Sequence, residues 1–239
     1  YWITVGKQKV LLAREEQLVG LCKKNTWIMC VIKDAKDDPN WGKAPLGVRW
    51  VDIAKPGRGY RSRLVAKDFN RGSSILERAE FYYPTIPIEI YKVLLAVAAG
   101  RQRTHLPREQ QYAVQVLDIS KAYSYSTPQR TLYIKLPPDI NPDGTKCGKL
   151  LKTLEGCRDG SKNWGDELVI TLLECGFVRA QSLPSLFNNK AWECWIAAYS
   201  DDLFCVGARE HLHKIRTHLQ TCLLYTSPSP RDKRQSRMP

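Results

Sequence analysis

Two short apolar runs, Trp195–Tyr199 and Leu203–Val206, are separated only by Ser200-Asp201-Asp202. Runs that short, with so brief a polar break, predict a β-hairpin whose tip carries adjacent acids. Acids at a hairpin tip are ordinarily solvated turn formers, because an Asp side chain bonds its own backbone. Here the apolar flanks predict a tip that emerges from a buried sheet. A second buried-strand pattern, residues 112–118 (YAVQVLD), ends in a further acid, Asp118. If the two strands are neighbours, Asp118 and Asp201 converge at one end of a sheet. Carboxylates gathered there suit two Mg²⁺ ions, hard cations that take oxygen ligands. Such ions, about 3.5–4 Å apart, clamp the attacking and leaving oxygens of a phosphoryl transfer.

Charge points the same way. Lys and Arg number 37 against 24 Asp and Glu, a net charge of +13. That excess suits a polyanion, nucleic acid first and an anionic membrane surface second. Basic walls with acids confined to one place are what a nucleic-acid polymerase or nuclease needs. The 239 residues, 43% hydrophobic and 26% charged, are globular in composition, enough for one large domain or two small ones. No run of about 18 apolar residues occurs, so no membrane-spanning helix is expected. The chain opens at Tyr1 without a leader pattern, which reads as a cut end. Eight cysteines at irregular spacings, with no C-x-x-C, argue for reduced, packed thiols. His211, His213 and His218 have no Cys or carboxylate at a matching ligand spacing and read as solvated.

Along the chain, residues 13–32 predict a helix running into a strand, and 33–46 a polar loop. Residues 48–54 and 60–67 predict a hairpin around the turn 55–59. Period two puts Arg61, Arg63, Val65 and Lys67 on one face, either a polar surface or a phosphate clamp. Residues 88–99 predict an apolar helix closed by Gly100. Residues 127–149 are proline-rich loop around a short strand at 131–136. Residues 162–175 predict an amphipathic helix with the stripe Trp164, Leu168, Leu172 and Cys175, stopped by Gly176. From Cys222 to Pro239 the pattern is lost. Cys222–Asp232 resembles one reading frame of a transposase-type sequencing adapter, and Ser236–Pro239 its far end. Residues 222–239 are therefore expected to be adapter-derived and disordered, with the body ending near Thr221.

Taken in order, these residues resemble the reverse transcriptase domain of copia-type retrotransposon polyproteins, from about Asn25 to His218. Asn25-Thr-Trp27 and Val48-Arg-Trp-Val51 are similar to the family's opening strands. Tyr60-Arg-Ser-Arg-Leu-Val-Ala-Lys67 with Phe69 resembles its basic hairpin, and Phe81 with Pro84 its Phe-Ser-Pro turn. Asp118-Ile-Ser-Lys-Ala-Tyr123 is similar to the first catalytic motif. Leu154, Gly156 and Trp164 keep the frame of the template-contacting motif. Tyr199-Ser-Asp-Asp-Leu203 resembles the catalytic hairpin.

The resemblance implies an α+β right-hand polymerase, with an antiparallel palm sheet and packed helices. Fingers would lie at 13–110 and palm at 111–221, with the thumb missing. It implies Asp118, Asp201 and Asp202 as carboxylates for two Mg²⁺ or Mn²⁺ ions, Asp118 and Asp201 being the direct ligands. Arg61, Arg63 and Lys67 would meet the incoming triphosphate. Tyr123 would exclude a ribose 2′-hydroxyl, and Arg158, Lys162 and Tyr199 would contact template and primer. The implied partners are a primed RNA or DNA template, deoxynucleoside triphosphates, and the thumb, ribonuclease H and integrase of the polyprotein. No membrane partner is implied; the place is a cytoplasmic particle or the nucleus. Three departures stand out. Arg158-Asp159-Gly160-Ser161-Lys162 replaces the usual Lys-Gln-Ala-Pro-Arg, so that Asp159 is expected to repel phosphates. Leu183 replaces an Asp, and Ser200 a hydrophobic residue. A catalytically inactive nucleic-acid-binding relic is the alternative.

Overall fold

The computed structural model describes residues 2–55, 59–69, 81–102, 104–223 and 226–228. In chain order the elements are α1 (Trp2–Lys23), β1 (Trp27–Val31), α2 (Ile32–Asp37), β2 (Val48–Lys55) and β3 (Gly59–Ala66). Then come α3 (Ile88–Gly100), β4 (Tyr112–Ile119), β5 (Tyr133–Lys135), β6 (Lys146–Leu150) and α4 (Gly160–Glu174). The last are β7 (Val178–Arg179), β8 (Leu186–Asn189), β9 (Cys194–Tyr199), β10 (Asp202–Ala208), α5 (Arg209–Cys222) and β11 (Thr226–Pro228). Helix and sheet are mixed within the chain, as an α+β reading requires.

The chain forms two compact units, and both are discontinuous. One holds Tyr1–Tyr82 with Tyr123–Trp164, the other Tyr83–Ala122 with Gly165–Pro239. These units do not follow the expected division at 110/111, which falls inside the second of them. The reason is strand pairing. β6 returns to pair with β1, Trp27 opposite Leu150 and Val31 opposite Lys146, which draws 123–164 back to the N-terminal segment.

In the first unit, β1, β6 and β5 form one sheet and β2 and β3 a separate hairpin. Alternation along β3 buries Ser62, Leu64 and Ala66. Leu18 and Leu21, one turn apart on α1, join Leu64 and Ala66 in a core with Leu132, Ile134, Leu136, Leu150 and Leu154. Arg14 of α1 fixes the helix over the hairpin through a 2.5 Å ion pair with Asp52 and a guanidinium placed 5.2 Å from the Trp50 ring. Gly156, at φ 88, lies so close to β3 that a Cβ would collide with the Ala66 carbonyl.

The second unit is a six-stranded antiparallel sheet in the order β11-β4-β10-β9-β8-β7. α3 packs Leu94 and Ala98 onto Tyr112, Ala197 and Val206. α5 buries Leu212, Ile215 and Leu219, spaced for one helical face. α4 begins in the first unit and continues in the second. Its stripe is as expected, with Trp164, Leu168 and Leu172 at most 1% exposed. Its end is a Schellman cap: Gly176, at φ 76, donates its N–H to Leu173, and Phe177 donates to Leu172.

Three local expectations differ. Residues 32–37 are helical rather than loop, because Asp34 accepts from the Val31 N–H and caps the first turn. β6 (KCGKL) falls inside the stretch read as loop. The tail is not featureless throughout: α5 runs through Cys222, Leu223 is 2% exposed, and Thr226–Pro228 pairs with β4. Residues 224–225 and 229–239, like the turn 56–58, lie outside the described residues.

Candidate active site

The acids meet in the second unit. β10 runs antiparallel to β4 with Asp202 opposite Asp118, and antiparallel to β9 with Asp202 opposite Tyr199. Residues directly opposite on antiparallel strands project from the same side, with Cβ atoms about 4.5–5.5 Å apart. Asp118, Asp202 and Tyr199 therefore form a row across three strands. Ser200 and Asp201 make the turn, Ser200 at φ 54. The Asp201 carbonyl accepts the Ile119 N–H at 2.9 Å, which ties the turn to the end of β4. Asp118 and Asp201 are half-buried; Asp202 and Tyr199 are exposed. The hairpin and its neighbouring strand are as predicted, but the register sets Asp202, not Asp201, across from Asp118.

The face that carries this row is apolar behind it. Tyr112, Val114, Phe204, Val206, Trp195 and Ala197 belong to the cluster under α3. Tyr91 of α3 meets Phe204 edge-on, with ring centroids 5.2 Å apart. Burial pushes the Tyr91 hydroxyl up from its ordinary value, and the negative charge of Asp202 adds to the effect. Tyr91 is thus a neutral phenol beside the acids. Sequence reasoning missed it, although the spacing Tyr91, Leu94, Ala98 marks the inward face of α3.

The basic candidates belong to the first unit. Arg61 and Lys67 are exposed and Arg63 is half-buried, on the face of β3 opposite its buried residues. Arg63 is the least available of the three, since its Nε lies 3.4 Å from a Glu155 carboxylate oxygen. Tyr123, in the 3₁₀ turn Ala122–Tyr125, sits with its hydroxyl 3.4 Å from Ser161 Oγ. Its ring flanks Gly160, where a Cβ would come within 3.3 Å of Tyr123 Cδ1. Lys162 is half-buried in the first turn of α4.

Arg158 and Asp159 are engaged inside the unit, which overturns the expected repulsion of phosphates. Arg130 donates to Asp68 at 2.7 Å and to Asp159 at 2.8 Å. Arg158 donates its backbone N–H to Asp68 and sets its Nε 3.4 Å from the same carboxylate. Both guanidinium groups lie over the Phe81 ring, at 5.3 and 5.2 Å. Asp159 is only 2% exposed. Burial pushes its carboxyl up, but the Arg130 hydrogen bond and charge more than offset this and hold it below the ordinary carboxylate value. Asp159 is therefore an internal partner of Arg130, bonded through Oδ1 while its buried Oδ2 has no hydrogen-bond partner.

Of the histidines, His211 stacks on Trp192 with ring centroids 5.4 Å apart. His218 Nε2 lies 3.3 Å from Cys222 Sγ and 3.8 Å from Glu174. This corrects the expectation that His218 is solvated: Cys222, one turn on and beyond the expected end of the body, meets its ring.

A sequence profile for the family described as reverse transcriptase (RNA-dependent DNA polymerase) matches residues 28–222. The Transposon Ty1-ER2 Gag-Pol polyprotein of Saccharomyces cerevisiae is 25% identical over 202 residues, covering 82% of this chain and 10% of that protein. The Truncated transposon Ty1-A Gag-Pol polyprotein of the same yeast matches at 25% over 82% of this chain and 15% of its own length. The chain thus spans about a tenth to a seventh of these relatives. Among the described residues no helix is long and apolar enough to cross a membrane.

Proposed function

The chain belongs to the reverse transcriptase (RNA-dependent DNA polymerase) family of copia-type retrotransposon polyproteins, and on that premise we propose that Asp118, Asp201 and Asp202 are the carboxylates of a nucleotidyl-transfer site acting on a primer 3′-hydroxyl. One observation carries the reading: the register that sets Asp118 beside Asp202, with Asp201 next in the turn. The donor set is all carboxylate oxygen, at the end of adjacent strands, and this fits hard divalent cations. Bound there, Mg²⁺ or Mn²⁺ would supply the Lewis acidity of a phosphoryl transfer.

The chain's own residues do the rest. Asp118 and Asp202 on neighbouring strands, with Asp201 next in the turn, would hold the ions. The bond from Ile119 to the Asp201 carbonyl fixes the turn, so that its acid keeps its place without reorganising. Arg61 and Lys67 offer exposed charge to a triphosphate, and Arg63 offers a second guanidinium, shared with Glu155. Tyr123, set by Gly160 and Ser161, is the residue we assign to sugar selection. Lys162 and the exposed Tyr199 contact template and primer. Arg158 is a positioning residue, acting through Asp68 and Phe81 rather than on nucleic acid. The partners are a primed RNA or DNA template, deoxynucleoside triphosphates and the remainder of the polyprotein, inside the cell in a cytoplasmic particle or the nucleus.

The test is primer extension on a homopolymer RNA template in Mg²⁺, with the chain joined to the polyprotein sequence that follows it. Extension that disappears in Asp201→Asn supports the reading, and equal extension by both forms overturns it. Salt-sensitive binding of primed template without extension by either form favours the inactive relic.

A further inference from the structure

We propose that Cys30 and Cys147 form a paired-thiol modification site that closes to a disulfide when a peroxide removes two electrons. The two residues are direct partners across β1 and β6, with sulfurs 3.4 Å apart. Two positions further on, Ile32 donates its N–H to Thr145, so alternation makes Cys30 and Cys147 a hydrogen-bonded pair. That class of pair spaces Cα atoms at about 5.5 Å, inside the range of about 4.4–6.8 Å that a disulfide spans. The sulfurs already lie 3.4 Å apart, and cross-strand Cβ atoms about 4.5–5.5 Å apart need close by only about an ångström to reach the spacing of a disulfide.

Their environments assign the roles. Cys147 is fully buried, with Ala35 and Tyr133, while Cys30 is half-buried at the edge of the same cluster. Burial, followed by the Cys30 hydrogen bond, pushes the Cys147 thiol up to about 12, so Cys147 rests as the thiol. The oxidant therefore meets Cys30. The Cys30 sulfur attacks one peroxide oxygen; the O–O bond breaks, leaving a sulfenic acid and one water. The Cys147 sulfur then attacks the Cys30 sulfur. The S–S bond forms, the S–O bond breaks, and the hydroxide leaves with the Cys147 proton as a second water. Two thiols and one hydrogen peroxide become one disulfide and two waters.

The product would tie the two ends of a long chain segment inside the first unit, since the two cysteines are 117 residues apart. Closing so long a loop restricts the unfolded chain, and the melting temperature should rise by several degrees.

The experiment treats the full chain with one equivalent of hydrogen peroxide, alkylates remaining thiols, and maps peptides without reduction. The expected result is a Cys30–Cys147 linked peptide about 2 Da lighter than its two thiol peptides together, reversed by dithiothreitol. Two of the eight thiols should be lost together. Cys147→Ser should stop at a sulfenic acid on Cys30, trapped by a dimedone probe. Should Cys147→Ser not fold, Cys30→Ser, at the more exposed position, must abolish the linkage and leave Cys147 alkylated. A linkage between other cysteines, or Cys30 passing to sulfinic acid while Cys147 stays alkylatable, overturns the proposal.

Discussion

In the first unit Arg130 bonds Asp68 and Asp159 while Arg158 closes on Asp68 from another side. In the second unit, β4 and β10 bring Asp118 beside Asp202 with Asp201 next in line. Two acids are gathered in the one place and three in the other, yet the settings are opposite. Around Phe81 each carboxylate is matched to a guanidinium, so the charges hold the fold together. At the β4–β10 end, backbone pairing sets acids side by side, the arrangement proposed above to hold cations. Acids fixed by guanidinium groups inside a unit serve its structure; acids brought together by strand register are the ones to test for chemistry.

The largest effect should come from the second unit. Asp118→Asn in the extended protein is expected to cut primer extension by at least about a thousandfold, roughly 4 kcal/mol of barrier. A variant that extends like the parent would remove the functional half of the contrast.

Next in size is the first unit. Arg130→Met leaves Asp159 buried without its cation, and breaking a buried pair costs about 3 kcal/mol or more. Urea unfolding should register that loss, and Arg130→Met with Asp159→Leu should recover most of it. A midpoint unchanged in Arg130→Met would mean that the Phe81 cluster contributes no structure.

A smaller effect appears with acid. Asp159 is held below the ordinary carboxylate value, so its contribution is complete above the unfolded value of about 3.9 and is lost as pH falls through the lower folded value. Stability should drop as pH falls below about 4, by at most about 1.4 kcal/mol per pH unit from this group. The drop should be shallower in Asp159→Asn. Identical acid slopes in the two proteins would show that Arg130 does not stabilise the ionised carboxylate.

The smallest effect has the opposite sign. Removing one of two like charges facing each other across strands should raise stability by about 0.2–1 kcal/mol. Asp118→Asn should therefore unfold at slightly higher urea than the parent. If it unfolds earlier, Asp118 is a structural acid after all.

How much of this the sequence discloses depends on the range of each interaction. The β9–β10 hairpin, the strand ending at Asp118 and the helix stopped at Gly176 are legible because periodicity and turn chemistry are local. Asp159 is misleading on its own, because the residue that neutralises it, Arg130, lies 29 positions earlier with nothing between to mark the pairing. β6 is illegible for a related reason. Lys146–Leu150 holds two lysines and a glycine, and becomes a strand through pairing with β1 and β5. The Asp118–Asp202 register is also beyond sequence reading, since a shift of one residue along β10 changes which acid faces Asp118.

That late partner for β1 sets a schedule. Synthesis proceeds at about 5–20 residues per second, so β1 leaves the ribosome roughly 6–23 s before β6 follows. The β2–β3 hairpin, whose strands are nearly adjacent in the chain, can close during that interval. The strand Trp27–Val31, which keeps Ile28, Met29 and Val31 about half exposed even in the finished unit, cannot. A nascent chain of this kind carries a sticky, unpaired ribbon until Lys146–Leu150 emerges, and a slow stretch of codons between the two strands lengthens that exposure in direct proportion.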